Sequence, residues 1–256
     1  MNMQIDLEKG IANVGDVSRM KEVMARAKRG GRLVIGFIGG SITQGSLSST
    51  PQTCYAYRVY TWWKETFPQA EFVYCNAGIG GTTSEFGAAR VGTDLLAERP
   101  DFVIVEFSVN DESTEHFKET YEGLVRKILG AAWNPAVLLV HNVFYHNGAN
   151  AQVMHAAIGR HYDLPSVSMQ NSIYPEVVAG RIENRAITPD DLHPNDEGHA
   201  LVASVITYFL EQVRSGKLTG SNASFALGAK LPVPLTKNAY EDSVRIRNAA
   251  APDMAG

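Results

Sequence analysis

The sequence has little cysteine, no long apolar run and no block of basic residues. Its two cysteines, Cys54 and Cys75, are too few for a disulfide framework and have no metal-binding neighbours at short spacing, so we expect two buried structural thiols. No apolar segment approaches the roughly 20 residues that a membrane-spanning helix needs. A formal net charge of -4, with dispersed Lys and Arg, gives no reason to expect nucleic acid or an anionic membrane as a partner.

The first residues, Met-Asn-Met-Gln-Ile-Asp-Leu-Glu, contain no basic segment followed by an apolar one, which is the pattern of a secretory leader. This start therefore predicts a cytoplasmic protein. With 256 residues and 45% apolar side chains, the chain has material for one substantial core in a single α/β domain.

Apolar segments of strand length alternate with segments of helical periodicity along most of the chain. The predicted strands are residues 32–38, 71–76, 101–107, 136–143 and 165–169, and the predicted helices are residues 17–29, 55–67, 84–98, 114–132, 149–162 and 195–214. Because the strands are apolar on both faces, they indicate a parallel sheet covered by helices on each side. The predicted fold is α/β: a three-layer αβα sandwich with a five-stranded parallel sheet, flavodoxin-like in outline.

The alternation stops at about Gly216, which divides the chain into a domain at residues 1–215 and an extended C-terminal arm at residues 216–256. The arm lacks helical periodicity and is too short for an independent core. We expect residues 231–235 to be extended, 244–247 to form a short edge strand and 250–256 to be disordered. The arm packs on this domain, packs on a second subunit to form a homo-oligomer, or begins a further domain.

Polar segments follow the predicted strands, at the sheet edge where parallel α/β proteins bind ligands. Ser41 follows Gly39-Gly40 at the end of the first strand, either as a nucleophile or as a turn cap. After the second strand, Gly81 lies in a glycine-rich segment whose amides either stabilise an anion or only form a turn. After the third strand, Asn110 either donates its side-chain amide to a negative charge or caps the next helix.

A histidine with nearby carboxylates precedes the last helix. Asp190 lies three residues before His193, a spacing that lets the carboxylate bind Nδ1 and leaves Nε2 free as a base. Asp191 is the poorer candidate for this role, and His199 is expected to pack behind the loop. The alternative is a surface histidine among acids that cap the helix.

One mechanism uses all of these segments. Ser41 Oγ attacks an ester carbonyl, His193 takes the proton, and Asp190 orients the imidazole and stabilises its charged form. The backbone N–H groups of Ser41 and Gly81 and the side-chain amide of Asn110 bind the oxyanion.

The segments resemble the four motif blocks of the SGNH (GDSL-type) hydrolases, in the same order. Ser41 matches the nucleophile block, Gly81 the glycine block and Asn110 the Gly-x-Asn-Asp block, while Asp190 and His193 match the Asp-x-x-His block. The resemblance covers about residues 32–214. It implies a three-layer αβα fold, a shallow open site, and hydrolysis of esters or thioesters without a metal or cofactor.

Two positions depart from the family pattern. Gly40 stands where the family has Asp in Gly-Asp-Ser, and Ser108 stands where it has Gly in Gly-x-Asn-Asp. Both departures are similar to branches that act on acylated carbohydrates. The resemblance therefore implies a serine esterase that removes short acyl groups, acetyl above all, from a small-molecule or oligosaccharide ester. The alternative is a general short-chain carboxylesterase or lipase-like hydrolase.

Further polar residues lie near the same sheet edge. Asn142, Tyr145 and His146 follow the fourth strand and are candidates for a rim that touches substrate. Glu106 either points into this region or pairs with an arginine.

Other kinds of site fit the sequence less well. Residues 40–45 have the outer glycine spacing of a P-loop, but Ser46 stands where the lysine is required. A metal site of Asp190, His193 and His199 lacks the spacing of a His-Glu-x-x-His helix. A non-enzymatic carbohydrate-binding protein on a hydrolase fold would not need the complete nucleophile, base and acid.

Overall fold

A six-stranded sheet lies between two layers of helices in the computed structural model, which describes residues 5–220 and 231–246. The strands are β1 (Ile11–Asn13), β2 (Arg32–Gly39), β3 (Glu71–Gly78), β4 (Phe102–Glu106), β5 (Ala136–His141) and β6 (Ser166–Ser168). The helices are α1 (Ser18–Lys28), α2 (Ser41–Gln44), α3 (Tyr55–Thr66), α4 (Ser84–Asp94), α5 (Glu115–Leu129), α6 (Gln152–His161), α7 (Met169–Val178), α8 (Asn184–Ile187) and α9 (Asp196–Arg214).

The strand order is β1-β6-β5-β4-β2-β3, and all neighbours pair in parallel except β1, which is antiparallel to β6. The predicted sandwich with five parallel strands is confirmed. The sixth strand, β1, is an addition: three residues are too few to give a periodic signal in the sequence. β2 lies between β3 and β4, so the chain reverses its direction across the sheet there, and ligands of such sheets bind at this switch point.

Each face of the sheet has its own apolar core. Helices α1, α3 and α9 cover one face, where Trp63 is fully buried, and α4, α5 and α6 cover the other. The central strand β4 is buried along its whole length, which explains its continuous apolar sequence. Burial of each large apolar side chain stabilises the fold by about 1.5–3 kcal/mol. Among the described helices, none combines the length and apolarity needed to cross a membrane.

The described part of the arm, residues 231–246, packs in an extended conformation on the outer face of α5. The Glu122 carboxylate of α5 accepts hydrogen bonds from Leu235 N at 2.6 Å, Thr236 N at 2.7 Å and the Tyr162 hydroxyl at 2.5 Å. Gly123 makes this approach possible, because a Cβ there would lie 2.8 Å from the backbone carbon of Tyr240. This part of the arm therefore packs on its own domain.

The strand prediction at residues 244–247 is wrong for residues 244–246, which form no strand. Arg245 instead binds the end of α4: its backbone N–H donates to Ala89 O at 2.9 Å and its guanidinium contacts the Asp94 carboxylate at 2.7 Å. Residue 247 and the predicted disorder at 250–256 lie outside the described residues.

Glu122→Ala is expected to lower the free energy of unfolding by about 2–3 kcal/mol, because it leaves the buried Tyr162 hydroxyl and two part-buried backbone N–H groups of the arm without this acceptor. Burial raises the pKa of Glu122, but the hydrogen bonds that the carboxylate accepts from Thr236, Tyr162 and Leu235 produce a net decrease. Its contribution is therefore present at neutral pH and lost as the pH falls through this lowered pKa. Urea unfolding at pH 7 measures the loss.

Glu119→Ala is the matched control, because Glu119 lies on the same helix and binds the same arm through Ala239 N at 3.0 Å, but at an exposed site. We expect a loss of about 0.5 kcal/mol or less for it. Equal losses in the two variants would contradict a central role for Glu122.

Candidate active site

Ser41 is the first residue of α2, directly after the end of β2. It is 8% exposed. The preceding Gly40 leaves no room for a side chain, because a Cβ there would lie 2.2 Å from Asn110 Oδ1. The side chain of Asn110 thus fills the space beside the backbone at Gly40, which explains why a larger residue at this position is incompatible with this arrangement.

His193 bridges Ser41 and Asp190. Its Nε2 lies 2.8 Å from Ser41 Oγ, and its Nδ1 lies 2.6 Å from Asp190 Oδ2. The other oxygen of Asp190 accepts hydrogen bonds from the backbone N–H groups of His193 at 2.7 Å and Leu192 at 3.1 Å. The carboxylate therefore orients both the ring and the backbone of His193, and it leaves Nε2 directed at the serine hydroxyl.

Partial burial raises the pKa of Asp190, but the hydrogen bonds from the His193 side chain and from the backbone of His193 and Leu192 lower it, and the net shift is downward. The carboxylate therefore stays ionised to a lower pH than an ordinary aspartate. As the pH falls through this lowered pKa, Asp190 loses the negative charge that favours a protonated imidazole.

The loop that carries His193 is anchored at the start of α9. The Asn195 side chain caps this helix by accepting from Glu197 N and Gly198 N, both at 3.1 Å. Asp196 accepts hydrogen bonds from Ser49 N at 2.8 Å and Ser49 Oγ at 2.5 Å, and these bonds lower its pKa to about 2. Since Ser49 lies in the segment after α2, this contact joins the loops that carry the serine and the histidine.

Asp191 and His199 do not join the pair of His193 and Asp190. The Asp191 carboxylate accepts from Asn184 Nδ2 at 2.5 Å and from Arg185 at 2.9 Å. His199 Nδ1 accepts from Tyr55 N at 3.2 Å, and its Nε2 lies 3.3 Å from Ser46 O. Both ring nitrogens of His199 are thus engaged behind the loop, and burial lowers its pKa to about 4.

The three predicted oxyanion donors come from the ends of three adjacent strands, β2, β4 and β3. Within the described residues, the backbone N–H groups of Ser41 and Gly81 and the side-chain N–H of Asn110 have no hydrogen-bond acceptor. Gly81 has a φ of +69°, a conformation that favours glycine. Unpaired donors at the end of a sheet are available to a developing negative charge.

Comparison with known protein families gives a match between residues 37–201 and the model of the GDSL-like lipase/acylhydrolase family. The chain belongs to this family. The matched range contains each of the strand-end residues that carry the motifs, and the predicted family membership is confirmed. None of the curated proteins matches the chain.

Two solved structures are similar to the chain. A two-domain esterase (CEX) active on acetylated mannans is 67% identical, with a TM-score of 0.90 over 96% of this chain and 65% of that one. The chain therefore spans less than two thirds of that esterase. Axe2, an acetylxylan esterase from Geobacillus stearothermophilus, is 21% identical, with a TM-score of 0.57 over 72% of this chain and 96% of that one; it shares the fold.

The predicted rim of this GDSL-type site differs from the structure at two of its three positions. Asn142 is 2% exposed and Tyr145 is 5% exposed, so both side chains lie beneath the surface, and His146 alone of the three is exposed. Tyr145 contributes through its backbone instead, since its N–H donates to Asp191 O at 2.8 Å. Position after a strand does not determine which way a side chain points, so the burial of Asn142 and Tyr145 could not be read from the sequence.

Glu106 has no arginine partner among the described residues. It is fully buried and accepts a hydrogen bond from Thr43 Oγ1 at 3.3 Å, and burial raises its pKa to about 7. Arg90 instead donates to the backbone carbonyls of Ala77 at 2.6 Å and Gly39 at 3.1 Å. The arginine thus ties together the ends of β3 and β2.

A buried pair of side chains that sequence reasoning missed lies behind Gly81 and Asn110, which the sequence predicts as oxyanion donors. Asp111 Oδ2 lies 2.9 Å from His155 Nε2, and the His155 ring stacks on Tyr121 at a centroid distance of 3.6 Å. Asp111 Oδ1 accepts from Ser84 N, the first residue of α4, at 2.8 Å. Asp111 therefore links the segment of Asn110 to the helix that follows Gly81; no local pattern connects residues 44 positions apart.

Within the described residues, no group of three or more His, Cys, Asp or Glu side chains is arranged to hold a metal ion. Of the two cysteines, Cys54 is buried and Cys75 is half-buried, and both are free thiols.

Proposed function

We propose that the chain is a serine esterase that hydrolyses short-chain acyl esters, acetyl esters above all, on a carbohydrate. The observation that carries this proposal is the hydrogen-bonded triad of Ser41, His193 and Asp190 at the switch point of the sheet. This arrangement is the one that acyl transfer to a serine requires: a nucleophile, a base in contact with it and a carboxylate that orients the base.

In the acylation step, Ser41 Oγ attacks the ester carbonyl carbon while its proton moves to His193 Nε2, which lies 2.8 Å away. The carbonyl oxygen becomes an oxyanion that the N–H groups of Ser41, Gly81 and Asn110 stabilise. When the tetrahedral intermediate collapses, the carbon–oxygen bond to the alcohol breaks and the imidazolium donates its proton to the departing oxygen. The acyl group remains on Ser41 as an ester.

In the deacylation step, water takes the place of the alcohol. His193 Nε2 removes a proton from the water as its oxygen attacks the acyl carbon, and the same proton returns to Ser41 Oγ when the acyl-enzyme bond breaks. Acetate leaves and the serine is regenerated. Every group in the two steps belongs to the chain or to the substrates, so the proposed mechanism uses no metal or cofactor.

The carbohydrate part of the proposal rests on the similarity to an esterase of known structure. The esterase that is 67% identical is active on acetylated mannans, and a second structure of it was co-crystallised with mannopentaose. The nucleophile segment with Gly40, which differs from the usual Gly-Asp-Ser, agrees with a carbohydrate branch of the family. We therefore propose acetylated manno-oligosaccharides as the substrate class.

Acetate release from acetylated manno-oligosaccharides is expected to exceed release from acetylated xylo-oligosaccharides by at least about tenfold in kcat/KM, a difference of about 1.4 kcal/mol in transition-state binding. A parallel series of p-nitrophenyl acetate, butyrate and octanoate is expected to show a decline in rate with acyl length. Chromatographic quantification of acetate and absorbance of nitrophenolate measure the two series.

The opposite pattern, with octanoate fastest and no acetate from either oligosaccharide, would favour the lipase-like alternative. Binding of the acetylated oligosaccharides without any turnover would favour the non-enzymatic carbohydrate-binding protein. Within this proposal, residues 1–215 form the hydrolase domain and residues 216–256 an arm attached to it. A homo-oligomer formed through the arm stays a prediction.

A further inference from the structure

Gly80 and Gly81 form an exposed part of the loop that follows β3. A Cβ added to Gly81 would meet no atom within 4 Å, so no neighbouring side chain confines this residue. A Cβ on the preceding Gly80 would lie 3.6 Å from Ser41 Cβ and 2.8 Å from Gln44 Oε1. The backbone therefore passes close to the nucleophile at a point where two glycines allow it many conformations.

Gln44 holds this loop from the side of the nucleophile. It is the last residue of α2, three positions after Ser41, and its Oε1 accepts a hydrogen bond from Gly80 N at 2.7 Å. The side chain is exposed and makes no other hydrogen bond within the described residues. Its contact with Gly80 joins the helix of the serine directly to the residue before the proposed oxyanion donor.

The other contacts of the loop lie on either side of the two glycines. Before them, Ile79 N donates to Gly39 O at 3.1 Å. After them, Ser84 N donates to Asp111 at 2.8 Å, and Thr82 Oγ1 donates back to Ile79 O at 2.7 Å. Within the described residues, the hydrogen bond to Gln44 is the one bond that the Gly80 N–H makes, and the Gly81 N–H makes none. The bond between Thr82 and Ile79 closes the turn across both glycines without binding either N–H.

We propose that Gln44 is a positioning residue that holds the Gly81 N–H in the orientation of an oxyanion donor. An oxyanion hole accelerates a reaction only when its donors are oriented before charge develops, and a Gly-Gly peptide without a restraint rotates away part of the time. The inference rests on the proposed esterase function. The rate of acyl transfer then depends on Gln44, a side chain outside the triad of Ser41, His193 and Asp190.

Gln44→Met tests this role, because methionine has a similar length and no amide oxygen. We expect kcat/KM for p-nitrophenyl acetate to fall about tenfold, less than the 10²–10³-fold expected for loss of an oxyanion donor itself. The loss should appear in kcat with KM nearly unchanged, since the donor acts in the transition state. Phenylboronic acid, which forms a tetrahedral adduct with a nucleophilic serine, should bind weaker by a similar factor.

Gln69→Met is the matched control. Gln69 is exposed and lies in the turn before β3, at the end of the strands opposite to Ser41. Within the described residues its side chain makes one hydrogen bond, from Nε2 to Lys28 O at 3.1 Å. We expect unchanged kcat/KM for this variant. Because both side chains are exposed, both variants should keep their Tm within about 2 °C of the parent.

Unchanged kcat/KM in Gln44→Met would overturn the proposal. So would a loss confined to KM, or a loss accompanied by a lower Tm and unchanged affinity for phenylboronic acid, which would assign Gln44 to substrate contact or to stability. The function itself is tested separately by Ser41→Ala. An inactive Ser41→Ala together with a fully active Gln44→Met would refute the positioning role and leave the esterase proposal intact.

Discussion

Ser41→Ala is expected to reduce turnover of p-nitrophenyl acetate by on the order of 10⁶-fold, to the level that binding and oxyanion donors alone provide. The variant lacks the oxygen that attacks the carbonyl, and no other hydroxyl contacts His193 Nε2 within the described residues. The protein should remain folded, because the substitution removes a single oxygen from a small side chain at the start of α2. Initial rates and circular dichroism together measure both expectations.

Ser46→Ala provides the control for this experiment. Ser46 lies in the same segment, and its contacts are through the backbone, where its N–H donates to Ser41 O at 3.0 Å. Its hydroxyl should be dispensable. Retention of most activity in Ser41→Ala would refute the serine mechanism, whereas loss in both variants would point to damage of the segment.

His193→Ala is expected to lower kcat by on the order of 10³-fold or more, since the members of a catalytic triad act as a unit. Asp190→Asn should also lower kcat by on the order of 10³-fold, because an amide beside Nδ1 no longer favours the protonated imidazole or the correct tautomer. Stopped assays at pH 7 and pH 8 with the same ester measure both variants.

Asp191→Asn is the matched control for Asp190→Asn. Asp191 binds Arg185, whose side chain is 60% exposed, and such a pair contributes about 1 kcal/mol or less to stability. Asp191→Asn should therefore keep kcat within about threefold of the parent. A reversal, with Asp191→Asn inactive and Asp190→Asn active, would show that the wrong carboxylate has been assigned to His193.

The structural features that could be predicted from the sequence are those that depend on residues close together in the chain. An apolar segment that ends in Gly39-Gly40-Ser41 predicts a strand followed by a turn, because both conformations depend on residues next to each other. Asp190 and His193 are three residues apart, so a short loop is enough to bring the carboxylate to the ring. The alternation of strands and helices then predicts a parallel sheet, whose carboxyl edge collects these segments.

Contacts between residues that are far apart in the sequence could not be predicted. Gln44 and Gly80 are 36 residues apart, and Asp111 and His155 are 44 apart, so their pairing depends on how helices pack and leaves no periodic trace. The burial of Tyr145 and the course of the arm over Glu122 depend on packing in the same way.

The sequence by itself determined the class of fold, the order of the strand-end segments and the chemical groups that they carry, because these follow from local conformational preferences and side-chain chemistry. The tertiary structure alone decided which partner each group meets. It brings Ser41 Oγ and His193 Nε2, which are 152 positions apart in the sequence, to a distance of 2.8 Å. It also leaves the predicted oxyanion donors without an acceptor among the described residues. Such contacts form only when the apolar faces of the sheet and helices are buried, since burial of those faces, and not the polar groups, provides most of the free energy that brings distant segments together.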